Sequence, residues 1–126
     1  MSTDVWVFGN LDLEEDSLPL RILPQLQRQR PDLTFKTRDP MEEWDNVPDP
    51  LIVVDTVKGI AAVTVLKDLE LFEDAPRVSM HDLDLLSQLQ LLKKVGKLGH
   101  VVVVGVPPTL QPDEAIRQIA AALPPA

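Results

Sequence analysis

The sequence predicts an α/β fold: a three-layer α/β/α sandwich with a mostly parallel central sheet. Three observations predict it. "LIVVDTV" at residues 51–57 and "HVVVVGVPP" from residue 100 are nearly continuous apolar runs, as strands buried on both faces require. Segments with apolar residues at helical spacing alternate with the strands. The chain of 126 residues is the size of one domain, so residues 1–126 are read as a single unit with helices on a sheet.

The elements follow in order. Asp4 to Phe8 reads as a buried strand ending at Gly9-Asn10. Asp16 to Arg30 reads as a helix with Leu18, Ile22 and Leu26 on one face, capped by Asp16 or Ser17, with Pro19 harmless in its first turn. Pro24 removes a backbone donor inside that helix and predicts a kink or an early break. Leu33 to Thr37 alternates as a short strand, and Asp39 to Asn46 is a loop or one helical turn. After the Leu51 to Val57 strand, Lys58-Gly59 turns the chain into a further strand, Ala61 to Leu66, suited to an edge. A helix runs from His81 to about Val95, with Lys93 and Lys94 in its last turn and Gly96 as its C-cap. The last strand ends at Pro107-Pro108, and Pro112 to Leu123 forms the final helix, opened by Asp113 and Glu114.

Composition removes several function classes. There is no cysteine, hence no thiol catalysis, disulfide or thiolate metal site, and only His81 and His100 can supply imidazole. The net charge of −8 argues against a nucleic-acid partner and favours a cationic partner or a metal. No apolar run reaches the roughly 20 residues of a membrane span, and no basic-then-apolar leader opens the chain, so a cytoplasmic protein without membrane insertion is expected.

Ligands of open α/β sheets collect beyond the C-terminal ends of the strands. That rule nominates residues 9–16, 55–58, 79–84 and 105–108. Within them stand an acid run (Asp12, Glu14, Glu15, Asp16), then Asp55 at a strand end, then His81 at a helix start. Each also has an ordinary reading: a solvated loop with a helix cap for the acids, a turn-former at Asp55, and helix capping by His81 with Ser79 and Asp82.

Taken in order, "GNLDLEED", "LIVVDTVKG", "SMHDLDLL" and "VVVVGVPPTLQP" resemble the hydrogenase maturation endopeptidases, which trim the large subunits of nickel–iron hydrogenases. The resemblance implies an endopeptidase that removes the C-terminal extension of the large-subunit precursor after nickel insertion. Nickel, supplied by the substrate, then serves as the recognition element. It also implies that Asp16, Asp55 and His81 are both the metal ligands and the catalytic residues, with Glu15 a rival for the first position. The expected partner is the precursor, and a monomer is expected. Two carboxylates and an imidazole suit a divalent ion such as nickel.

The chain departs from the family pattern at several points. Val7 replaces the first glycine of a Gly-x-Gly-Asn turn, and Pro19 stands where a further glycine is usual. "TRDPMEEW" replaces an Asp-Gly-Gly-Thr-like loop, with Asp39 as a stand-in acid. These departures leave a catalytically inactive metal-binding or scaffolding relative as the alternative. A receiver-type signalling domain with Asp55 as phosphoacceptor ranks lower, because "VVVVGVPPT" lacks the lysine that fold needs beside its last-strand proline. A Ser-His-Asp hydrolase ranks lower still, since no Gly-x-Ser-x-Gly elbow occurs.

Overall fold

The computed structural model of the chain describes residues 3–39, 42, 44, 46–67 and 80–125, with the backbone alone at Glu15 and at 80–84. Five strands form one sheet in the order β2-β1-β3-β5-β4. They are β1 (Thr3–Val7), β2 (Leu33–Thr37), β3 (Leu51–Thr56), β4 (Thr64–Leu66) and β5 (Val101–Val106). The helices are α1 (Leu18–Arg21), α2 (Leu23–Gln29), α3 (Met80–Lys94) and α4 (Pro112–Ala122). The pairs β1–β2, β1–β3 and β3–β5 are parallel, and β4 lies antiparallel on β5. The predicted α/β/α sandwich with a mostly parallel sheet is therefore what forms.

Every residue of β3 is buried, which is why this strand takes the centre. Side chains alternate across the sheet with period two. On one face, Val5, Val7, Ile52, Val54, Val104 and Val106 pack against Leu18, Ile22 and Leu26 of the α1–α2 segment and Ala115 and Ile119 of α4. On the other, Trp6, Phe8, Leu51, Val53, Val101 and Val103 pack against Leu85, Leu86, Leu89 and Leu92 of α3 and against Trp44.

The early break expected from Pro24 is present, whereas the cap at Ser17 and one strand differ from expectation. The predicted 16–30 helix is two short helices that meet at Ile22, whose φ of −99° and ψ of 3° interrupt the first. The break falls just ahead of Pro24, so that each proline occupies the first turn of its own helix, where a missing N–H does no harm. Ser17 does not cap α1 through its side chain; its hydroxyl donates back to the Glu14 carbonyl at 3.0 Å.

The strand expected at 61–66 is shorter, Thr64–Leu66. It pairs with β5 and not with its sequence neighbour β3, because β1 and β5 already occupy both edges of β3. The backbone N–H of Val63 donates to Gln118 Oε1 at 2.8 Å, which ties the start of β4 to α4.

The C-cap of α3 is as the sequence reads. Gly96 has φ of 76°, its N–H donates to the Lys93 carbonyl at 3.2 Å, and the N–H of Lys97 donates to the Leu92 carbonyl at 2.9 Å. In the expected loop at 39–46, the Glu42 N–H donates to the Asp39 carbonyl at 3.2 Å, and residues 40, 41, 43 and 45 lie outside the described residues.

Arg30 clamps the C-terminus of α4 from across the fold. Its guanidinium donates to the carbonyls of Ala120 and Leu123, both at 2.9 Å, and of Pro124 at 2.7 Å, while Asp32 holds it from behind at 2.8 Å. The Ala120 and Leu123 carbonyls are ones the helix end leaves without intrahelical partners, and Pro124 follows the cap. Arg30→Ala is expected to destabilise the fold by about 2 kcal/mol, read as a lower urea midpoint, since hydrogen bonds to a charged donor are worth more than neutral ones. An unchanged midpoint would show that water replaces the guanidinium at no loss.

Candidate active site

The acid run after β1 is a closed loop. Phe8 donates its N–H to the Val54 carbonyl at 2.9 Å, extending the β1–β3 pairing by one residue beyond β1. The chain then turns: Asp12 N–H donates to Asn10 Oδ1 at 2.9 Å, and Leu13 N–H to the Asn10 carbonyl at 3.1 Å. Asp16 N–H donates to the Leu13 carbonyl at 2.9 Å, and Asn10 N–H donates to the Asp16 carbonyl at 3.0 Å, which shuts the loop. Gly9 is what permits this: a Cβ there would stand 2.6 Å from the Asp16 carbonyl oxygen.

The acids of this loop differ in their surroundings. Asp12 and Glu14 are exposed, and Asp16 is completely buried. The Glu15 side chain lies outside the described residues.

Asp55 is the fifth residue of β3, opposite Gly105 of β5, and is also completely buried. By alternation its side chain shares the face of Leu51 and Val53, the face α3 covers. A Cβ on the neighbouring Gly105 would meet Val57 Cγ2 at 3.0 Å, so glycine lets β5 pass close to this strand end.

His81 is the second residue of α3, and its side chain lies outside the described residues, as does all of 68–79, including Ser79. The helix direction still fixes the edge on which it stands. The Leu51 N–H donates to the His100 carbonyl at 2.8 Å, so the chain leaving α3 enters the sheet at the N-terminal edge of the strands. Fifteen helical residues span about 22 Å, roughly the length of a strand of six. The first turn of α3 therefore stands at the C-terminal edge, where Asp16 and Asp55 also lie. Among the described residues no three His, Asp or Glu side chains form a metal cluster.

His100, the other histidine, stands at the opposite edge with its side chain exposed. Its backbone N–H donates to Asp49 Oδ1 at 2.9 Å, and its ring Nδ1 is 3.2 Å from the same oxygen. The backbone hydrogen bond first, and the ring second, hold the Asp49 carboxyl below the usual carboxylate range.

Two features escaped the reading of the sequence. Trp44, the last residue of "TRDPMEEW", is held by aromatic packing. Trp44 meets Trp6 edge-on at 5.2 Å between centroids and Phe8 at 5.6 Å, its indole N–H donates to the Asp39 carbonyl at 3.1 Å, and Arg38 lies 4.4 Å over the Trp6 ring. Trp6 and Phe8 alternate in β1 onto the Asp55 face, a signal the sequence did carry. The second feature is a cavity of about 470 Å³ at the C-terminal edge, lined by Glu14, Arg21, Lys58, Gly59, Ile60, Pro108 and Thr109. Arg21 left no signal beyond standing four residues after Ser17, whose Oγ accepts from Arg21 Nε at 3.0 Å.

The strand order with an antiparallel β4 at the edge departs from the all-parallel 2-1-3-4-5 order of a receiver domain. Comparisons with known proteins point elsewhere. The family model described as hydrogenase maturation protease (HycI) matches residues 35–126, a range that includes Asp55 and His81 and begins after Asp16. The structure of the hydrogenase maturating endopeptidase HybD from E. coli is similar, with a TM-score of 0.63 and 25% identity over 98% of this chain and 92% of that one. The solution structure of an endopeptidase from Escherichia coli shares the fold, with a TM-score of 0.64 and 20% identity over 94% of this chain and 86% of that one. No curated protein sequence matches.

Proposed function

Since the chain belongs to the hydrogenase maturation protease family, we propose that it is the endopeptidase that removes the C-terminal extension of a nickel–iron hydrogenase large-subunit precursor after nickel insertion. One observation carries the proposal to particular residues: Asp16 and Asp55 are both fully buried, at the same edge of the sheet. Burying a carboxylate costs several kcal/mol in lost hydration unless a cation or hydrogen bonds offset it. Two such groups, one from the loop after β1 and one near the end of β3, fit a site at a strand-end crevice better than they fit a turn.

With His81 in the first turn of α3, the donor set is two carboxylates and an imidazole, which suits the divalent nickel carried by the substrate. Asp16, Asp55 and His81 would hold that nickel and so orient the precursor. In hydrolysis the scissile C–N bond breaks, the hydroxyl of a water joins the carbonyl carbon, and its other proton goes to the departing amine. A metal ion beside that carbonyl lowers the barrier by polarising it or by activating the water, and no protein nucleophile is needed. Asp16 is the preferred first ligand, with Glu15 the rival.

The same reading has the protein act in the cytoplasm as a monomer on a protein substrate. Among the described residues no helix is long and apolar enough to cross a membrane.

Nickel-loaded precursor mixed with the purified protein is expected to lose its C-terminal peptide, seen as a mass decrease. His81→Ala should abolish that loss while moving the melting temperature by no more than a few degrees. Retained precursor binding without cleavage by the unaltered protein would identify an inactive relative and overturn the peptidase reading. A large fall in melting temperature would make His81 a structural residue.

A further inference from the structure

The last turn of α3 carries a surface that the proposed peptidase site does not use. Leu91 and Val95, one helical turn apart, are each 55% exposed, and they are two of the four large hydrophobics exposed among the described residues. Val95 also stands three residues after the buried Leu92, so Leu91, Val95 and Leu92 form one apolar strip on the helix surface. The strip runs into a cavity of about 330 Å³ lined by Trp44, Asn46, Val47, Leu92 and Lys97. A hollow of that size between aromatic and aliphatic walls is ample for one apolar side chain.

The charge around this strip runs against that of the chain. From residue 85 to residue 112 the sequence holds no Asp or Glu, although the net charge is −8. Lys93, Lys94 and Lys97 fall within that stretch, all three are exposed, and among the described residues none of them is paired with an acid. The helix macrodipole accounts for cations at this end of α3, but it gives no reason to leave an apolar strip beside them in water.

We infer that this surface docks an acidic, amphipathic helix of a partner protein. An apolar side chain of that helix enters the cavity beside Trp44, Val47 and Leu92, a second lies on Leu91 and Val95, and its carboxylates face Lys93, Lys94 and Lys97. A nucleic-acid backbone is repelled by the net charge of −8 along its whole length, whereas a short helix meets the lysines within the roughly 8 Å that physiological salt leaves unscreened. Docking here leaves the cleavage edge free. The last turn of α3 stands at the N-terminal edge of the strands, and Asp16 and Asp55 lie at the other, so partner and precursor can be held together.

The probe is a fluorescein-labelled peptide of about 15 residues with Leu at helical spacing and Glu at the positions between. It is expected to bind saturably, read by anisotropy, and to shift the tryptophan emission, because Trp44 lines the cavity. Lys94→Glu should weaken binding about tenfold at low salt and less at high salt, and Leu91→Ala should weaken it severalfold at every salt concentration. Both side chains are exposed, so neither change should move the melting temperature by more than a few degrees. Neither should change kcat or KM for nickel-loaded precursor.

No saturable binding, or equal binding of a peptide with Lys in place of every Glu, would overturn the docking surface. So would preferential binding of phosphatidylserine vesicles or of a DNA duplex through the same residues, or self-association of the chain that Leu91→Ala abolishes. A raised KM for the precursor in both variants would make the precursor itself the occupant and overturn a separate partner. Failure of the unaltered protein to cleave precursor would overturn the peptidase reading alone, and peptide binding would still decide this surface.

Discussion

Asp55→Asn is expected to lower precursor processing by at least about 100-fold while leaving the melting temperature within a few degrees of the original, or raising it. The two halves of that expectation have the same cause. Asp55 is completely buried in the central strand, between Val54 and Thr56 and opposite Gly105 of β5. Asparagine has nearly the same shape, so the packing of β3 between β1 and β5 is kept. What is removed is a charge whose desolvation opposes folding, and replacing buried ions by neutral groups of similar volume is often neutral or stabilising.

A ligand role depends on that charge, because a neutral amide is a poor donor to a divalent metal. Processing is read as loss of the C-terminal peptide and stability by thermal unfolding. If Asp55→Asn instead unfolded at a much lower temperature, a loss of about 3–5 kcal/mol, the carboxylate would be anchoring a buried partner and its role would be structural.

Why the fold was largely legible, and the site only partly, follows from how far each determinant reaches along the chain. "LIVVDT" and "VVVVGV" advertise burial on both faces, and Gly96 after Lys93-Lys94 advertises a helix end; each signal is complete within a few residues. The break between α1 and α2 was half legible. Pro24 announces that one helix cannot run through, but the position of the break depends on which turn each proline can enter, and that falls at Ile22.

Strand pairing is different. Ala61 to Leu66 reads as a strand, yet nothing within it says that β5 and not β3 will accept it; that is decided by which strands already flank β3. The same limit applies to the cavity, whose wall joins Arg21, Lys58 and Thr109 from three separate segments. At the acid run, the sequence reads Asp12 and Glu14 as solvated and leaves Asp16 and Glu15 as rivals. The folded loop separates Asp16, buried, from Asp12 and Glu14, exposed, because its closing hydrogen bond is made to the backbone of Asp16 itself.

That closure supplies the second large effect. Gly9→Ala is expected to destabilise the protein by about 1–3 kcal/mol, as overpacking does, and to impair processing well beyond what the remaining folded fraction explains. The added Cβ would lie 2.6 Å from the Asp16 carbonyl oxygen and 3.2 Å from Leu20 Cγ. Leu20 can rotate, but the carbonyl is backbone and is held by the Asn10 N–H at 3.0 Å, so the loop must move as a unit and carry the Asp16 side chain with it. A displacement of about 1 Å at a catalytic group is enough to reduce rate by about 100-fold.

Gly96→Ala makes the control. Gly96 has φ of 76°, and a Cβ there meets nothing within 4 Å, so its cost is backbone strain of about 1 kcal/mol at the far end of α3. It should lower the urea midpoint and leave kcat/KM for the folded protein unchanged. Should Gly9→Ala behave like Gly96→Ala, losing stability and keeping full processing, then the position of Asp16 does not matter to the chemistry, and the first ligand must be sought elsewhere in the acid run, with Glu15 next in line.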